Sequence, residues 1–126
     1  MNIEQIREYC LSLPVTSEDC PFGEEYLAFR VKEKIFAMID LNNPEWFVLK
    51  CHPDTALVLR ETHSEIKAAW HMNKKHWNQI DIFGLLPDTL IKDMIRHSYE
   101  EVVAKMPKKI KTEHPELMTV SSALHP

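Results

Sequence analysis

The sequence predicts an α+β fold in which an antiparallel β-sheet carries helices mainly on one face, in the order α-βββ-α-ββ-α. Three observations lead there. Apolar residues at helical spacing open the chain. Three short apolar stretches follow, joined by polar turns of two or three residues, too short for anything but antiparallel hairpins. A long helical pattern then comes last, its apolar residues recurring about every four positions.

The first helix has Asn2 as a capping residue with Gln5 three positions on, a capping-box pattern. Ile3, Ile6, Cys10 and Leu13 make its apolar stripe, and Pro14 stops it. In Tyr26–Val31 the residues Leu27, Phe29 and Val31 alternate onto one face. Lys32-Glu33-Lys34 is a turn, and Ile35–Leu41 is apolar on both faces, as a central strand should be. Asn42-Asn43-Pro44 is the next turn, followed by the strand Trp46–Cys51. Pro53 and Asp54 suit the first turn of a second helix, running to about Thr62. A short strand is expected at Lys67–Trp70 and another at Trp77–Ile82, with Ile80 and Ile82 on one face and Trp77, Gln79 and Asp81 on the other. The last helix starts at Leu86-Pro87-Asp88 and ends near Lys105, because Met106 precedes Pro107.

The 126 residues fit one domain, expected over 1–110, with 111–126 a flexible tail that shows no periodicity. No apolar run approaches the roughly 20 residues of a membrane-spanning helix, and the first residues lack a secretory-signal pattern. Cys10, Cys20 and Cys51 cannot all pair and form no CxxC, so reduced thiols and a cytoplasmic location are expected. The only glycines, Gly23 and Gly84, stand far apart, which excludes a phosphate-cradling loop or a dinucleotide fingerprint.

Net charge is −4, but it is unevenly spread. Residues 1–65 carry 12 acids and 6 bases (net −6), whereas residues 66–126 carry 7 acids and 9 bases (net +2). No acid lies between Glu65 and Asp81, where Lys67, His71, Lys74, Lys75 and His76 all fall. This stretch points to phosphate. Lys74 and Lys75 suit phosphate neutralisation, Trp70, Trp77 and the imidazoles suit base stacking, and Asn73 and Asn78 suit base edges or phosphate oxygens. The plainer alternative is a hairpin anchored by Trp70 and Trp77 with solvated lysines at its turn. Lys105, Lys108, Lys109 and Lys111 form a second basic stretch, with Lys108 and Lys109 as candidate phosphate contacts.

Other chemistry finds little support. His71 and His76 are five apart, a spacing that suits neither a helix face nor one side of a strand, and no metal site is expected. The serines have no nucleophile-elbow context, and nothing pairs Cys51 with His52 or His71 beyond proximity, so no catalytic residue and no cofactor is expected. Glu4, Glu8, Glu18, Asp19, Glu24 and Glu25 read as a solvated acidic edge.

Pro21-Phe22-Gly23-Glu24, Lys34-Ile35-Phe36-Ala37, Leu49-Lys50-Cys51, Ala56 to Arg60, His71 to Asn78, and Ser98-Tyr99 to Lys109 together resemble the MmcQ/YjbR family of small bacterial proteins. The likeness runs over roughly residues 1–110, and the His-Met-Asn-Lys-Lys-His-Trp-Asn run is its most specific part. It implies a CyaY-like (frataxin-like) α+β fold and the DNA-binding role proposed for that family, with wing-like β elements. The Leu13-Pro14-Val15-Thr16 turn departs from it, lacking the glycine expected after the proline. Frataxin-like iron binding by an acidic first helix finds only Glu4 and Glu8 here, opposed by Arg7.

The expected function is non-enzymatic DNA binding through residues 70–78, with Lys74, Lys75, His76, Trp77, Asn73, His71, Lys67 and Asn78 as contacts. The second expectation is a small-molecule or protein-binding module whose pocket is walled by Trp70, Trp77, His71 and Cys51.

Overall fold

A computed structural model of the chain describes residues 1–69 and 72–124. Its first helix, α1 (Ile3–Ser12), begins with the predicted capping box. The Gln5 amide donates to the Asn2 side chain at 2.8 Å, and the Asn2 amide donates to the Gln5 side chain at 2.9 Å. The chain then turns at Leu13–Val15. Val15 sits at φ 57°, the left-handed conformation that a β-branched residue resists and that the missing glycine would have adopted freely.

A strand absent from the sequence reading follows, β1 (Thr16–Asp19), so the first meander has four strands rather than three. It continues with β2 (Tyr26–Val31), β3 (Lys34–Asp40) and β4 (Trp46–Lys50). Helix α2 (Pro53–Thr62) starts from His52, whose Nδ1 accepts the Asp54 amide at 3.2 Å. Strands β5 (Ile66–Ala68) and β6 (Trp77–Asp81) and helix α3 (Asp88–Ala104) come next. The sheet order is β1-β2-β3-β4-β6-β5, with every neighbouring pair antiparallel.

Side-chain alternation gives the sheet two unlike faces. Phe29, Ala37, Ile39, Phe47, Leu49 and Ile80 are buried beneath the helices with Ile6, Cys10, Ile95 and Tyr99. On the opposite face the directly paired residues Trp46 and Asp81, Val48 and Gln79, and Lys50 and Trp77 are only half-buried. Helix α3 is tied to both central strands through Ser98, whose hydroxyl donates to the Phe36 carbonyl at 2.5 Å and accepts the Lys50 amide at 2.9 Å. Tyr99 packs edge-on against Phe36 and donates its hydroxyl to the Pro14 carbonyl at 2.6 Å.

The expected flexible tail carries structure. Helix α4 (Lys108–Glu113) and a 3₁₀ turn (Pro115–Thr119) fold back so that Leu117 is 1% exposed within the core. The core therefore extends past residue 110. A lone leucine after a proline gives no periodicity, which is why the sequence did not announce it.

Candidate nucleic-acid interface

The basic turn before β6 is held rigidly. The Asn73 carbonyl accepts the amides of His76 and Trp77 at 3.2 and 3.0 Å, and its side-chain oxygen accepts the Lys75 amide at 2.9 Å. Arg60 on α2 braces the same turn, bonding the Asn78 side chain at 2.6 Å, the Trp77 carbonyl at 3.3 Å and the Lys74 carbonyl. The Cys51 amide donates to the His76 carbonyl at 2.7 Å, fastening the turn to the end of β4.

The proposed contact residues separate on this frame. Lys75 is exposed at the tip. Lys74 is also exposed, but its ammonium turns back to the Ala69 carbonyl at 3.4 Å. His76 is half-buried and its pKa is lowered, first by burial and then by the ammonium groups of Lys105, Lys50 and Lys75. Trp77 lies half-buried within β6, directly across from Lys50, rather than at a projecting tip. Lys67 lies elsewhere, 5.7 Å from the ring centre of Trp46. Lys109 faces Glu113 at 4.0 Å on exposed α4, beside exposed Lys108. His71 and Trp70 fall outside the described residues.

Asn78 corrects an expectation. It is 2% exposed and its carbonyl oxygen is occupied by Arg60, so it cannot reach a base edge or a phosphate. Its parity along β6 is that of buried Ile80, which places it on the inner face.

The structure adds Lys34 and Lys50 and joins them to Lys105 of the second basic stretch. Lys34 opens β3, Lys50 closes β4 and Lys105 follows α3, and all three line one cleft of about 320 Å³ together with Ile35, Val102, Met106 and Pro107. The pKa of Lys50 is lowered by partial burial and by Lys105, and to a lesser degree by Lys34, against the opposing pull of Glu101. None of the ion pairs among the described residues involves Lys34, Lys50, Lys75 or Lys105. The antiparallel register thus sorts charge by strand end. Glu24, Glu25, Asp40, Glu45 and Asp81 stand at or beside one set of ends, and Lys32, Lys34, Lys50, Lys74 and Lys75 at or beside the other, with Glu33 among them.

Residues 11–101 match the family model for YjbR. The chain belongs to the YjbR family. It is 29% identical over 110 residues to the uncharacterised protein YjbR of Escherichia coli (strain K12), covering 86% of this chain and 93% of that one. To the uncharacterised YbdF of Escherichia coli O157:H7 it is 31% identical over 107 residues, covering 84% and 88%. The crystal structure of Deinococcus radiodurans protein DR2400, a DUF419 domain, shares the fold with a TM-score of 0.83 at 32% identity, covering 89% of this chain and 86% of that one. A crystal structure from Pseudomonas syringae gives a TM-score of 0.70 at 27% identity, covering 80% and 98%.

Of the residues expected to wall a pocket in this YjbR-family chain, Trp70 and His71 lie outside the described residues and Trp77 is half-buried within β6. Cys51 is 4% exposed and buried against the core. A depression of about 340 Å³ lies on the open sheet face and is lined by Tyr26, Met38, Trp46 and Met72 with Asp40 and Gln79. Arg7, expected to oppose an acidic first-helix site, is engaged by Glu18. Among the described residues no three His, Cys, Asp or Glu side chains gather as a metal site, and no helix is long and apolar enough to cross a membrane.

Lys34 and Lys50 escaped the sequence reading, and Lys105 entered it only as the start of the second basic stretch, because the three are distant along the chain. The available signal was their position: Lys34 and Lys50 end adjacent strands of a meander on the same side, and Lys105 ends the helix packed over those strands.

Proposed function

We propose that this protein is a non-enzymatic DNA-binding protein of the cytoplasm that holds the phosphate backbone at the basic end of its sheet. The observation that carries this reading is the convergence of Lys75 and His76 with Lys50 and Lys105, a cationic cluster with no carboxylate paired to its lysines among the described residues. Lys34 extends it, lining the same cleft as Lys50 and Lys105. A net charge of −4 does not oppose such binding, because phosphate responds to the local field within a Debye length of about 8 Å.

Contact is with the backbone, largely independent of base sequence. Base reading needs polar groups that project into a groove. Here Asn78 is sealed, Asn73 is engaged in its own turn, and Trp77 is part of a paired strand. Trp77 instead supports Lys50 from the neighbouring strand.

The test is a titration of duplex DNA at several salt concentrations. About three phosphate contacts give a log–log slope near −2.7, at about −0.9 per contact. Lys75→Glu and Lys105→Glu should each weaken binding and flatten the slope. Charge-reversed protein that binds as tightly as the wild type would refute the reading.

A further inference from the structure

The cleft beside the turn has a chemistry of its own. Lys34 of β3, Lys50 of β4 and Lys105 at the end of α3 line it, with Ile35, Val102, Met106 and Pro107 as its other walls. Clustered cations repel one another and are ordinarily relieved by a carboxylate within reach. Glu101 is the acid whose field reaches Lys50, but its carboxylate lies 3.6 Å from His97 and forms no ion pair with any of the three lysines. The walls are fixed before anything binds. The Lys50 amide is held by Ser98, and the Met106 amide bonds to the Val103 carbonyl at 3.0 Å.

We propose that this cleft binds a phosphate monoester dianion, borne either on the terminus of a nucleic-acid strand or on a free nucleotide. The inference rests on the same cationic sheet end as the backbone-binding reading but asks more of it. A terminal phosphate carries about −1.5 to −2 charges at neutral pH and offers three free oxygens, one for each ammonium. A diester within a strand has one charge and two free oxygens, and chain leaves it on both sides. A cleft lined by Met106 and Pro107 as well as by lysines favours a group with one ester substituent rather than two. The apolar walls suit the lysine stems and the carbon skeleton of the ester.

The experiment compares oligonucleotides of one sequence with a 5′-phosphate or a 5′-hydroxyl, by fluorescence anisotropy, with phenyl phosphate and dimethyl phosphate as competitors. The phosphorylated end should bind about tenfold tighter, the scale of one or two charge-assisted hydrogen bonds. Phenyl phosphate should compete and dimethyl phosphate should not. The double variant Lys50→Met/Lys105→Met should lose the end preference, bind both ends equally and more weakly than the wild type, and retain a shallower salt slope through Lys75. If that variant does not fold, as judged by circular dichroism, Lys34→Met alone should reduce the preference severalfold. Equal affinity for the two ends overturns the cleft assignment and leaves backbone binding standing. Binding of phenyl phosphate without binding of either oligonucleotide supports the cleft, identifies the free ester as its ligand, and removes the backbone reading. If neither binds, both are lost.

Discussion

Arg60 donates from Nε to the side-chain oxygen of buried Asn78 at 2.6 Å. The same guanidinium also satisfies the carbonyls of Trp77 and Lys74, so one side chain from α2 holds both the strand and the turn that presents Lys75. The sequence singles out neither residue for this role. Asn78 was read as a contact and is a strut.

Replacing Arg60 by Ala leaves the buried Asn78 oxygen without a donor and frees the Lys74 carbonyl to water, while the Trp77 carbonyl keeps the Ala69 amide at 3.1 Å. The expected loss is about 2–3 kcal/mol of stability, measured by urea denaturation, with weaker DNA binding at an unchanged salt slope. Arg60→Lys should recover little, because an ammonium cannot reproduce the planar fork.

Stability should fall in mild acid through His97. Its Nε2 accepts the His52 amide at 3.2 Å and it is 4% exposed, so burial lowers its pKa, with His52 adding to the effect and Glu101 and Glu100 opposing it. Below about pH 6.5 the unfolded chain takes up a proton that the folded chain refuses. The unfolded state then binds more protons, so stability declines as pH drops from the ordinary histidine range toward the lowered folded value, and is level above the histidine range. Denaturation midpoints at pH 5.5 and 7.5 check this. His97→Gln, whose amide oxygen can accept the same bond, should flatten the difference.

Leu117→Ala should cost about 2–5 kcal/mol, the usual range for emptying a buried leucine site. A chain cut after residue 110 should lose a similar amount, seen as a lower melting temperature.

Cysteine labelling should be selective. Cys20 is exposed, whereas burial pushes the thiols of Cys10 and Cys51 up to about 12 and shields them. Ellman's reagent should modify one thiol in the native protein and three after denaturation. Rapid native modification of Cys51 would contradict its placement.

What the sequence disclosed depends on whether the signal was local. The Asn2/Gln5 box and the four-residue apolar period of α3 are local, and both helices stand where they were expected. Strand β1 is Thr-Ser-Glu-Asp at the sheet edge, formed by backbone pairing to β2 with none of its residues buried, so no apolar alternation marks it. Lys75 and His76 were legible because they are contiguous. Lys34, Lys50 and Lys105 become neighbours only through register and helix packing, which no window along the chain reports. Asn78 is different, since the alternation that placed Ile80 inward already placed Asn78 beside it.

The segregation of acids and amines to opposite strand ends gives the molecule a permanent electrical orientation. A body so polarised rotates as it approaches a polyanion, and the same pole leads on each encounter. If the protein binds DNA as proposed, fewer collisions are wasted on unproductive poses, and capture at low ionic strength is faster than the overall negative charge alone would allow.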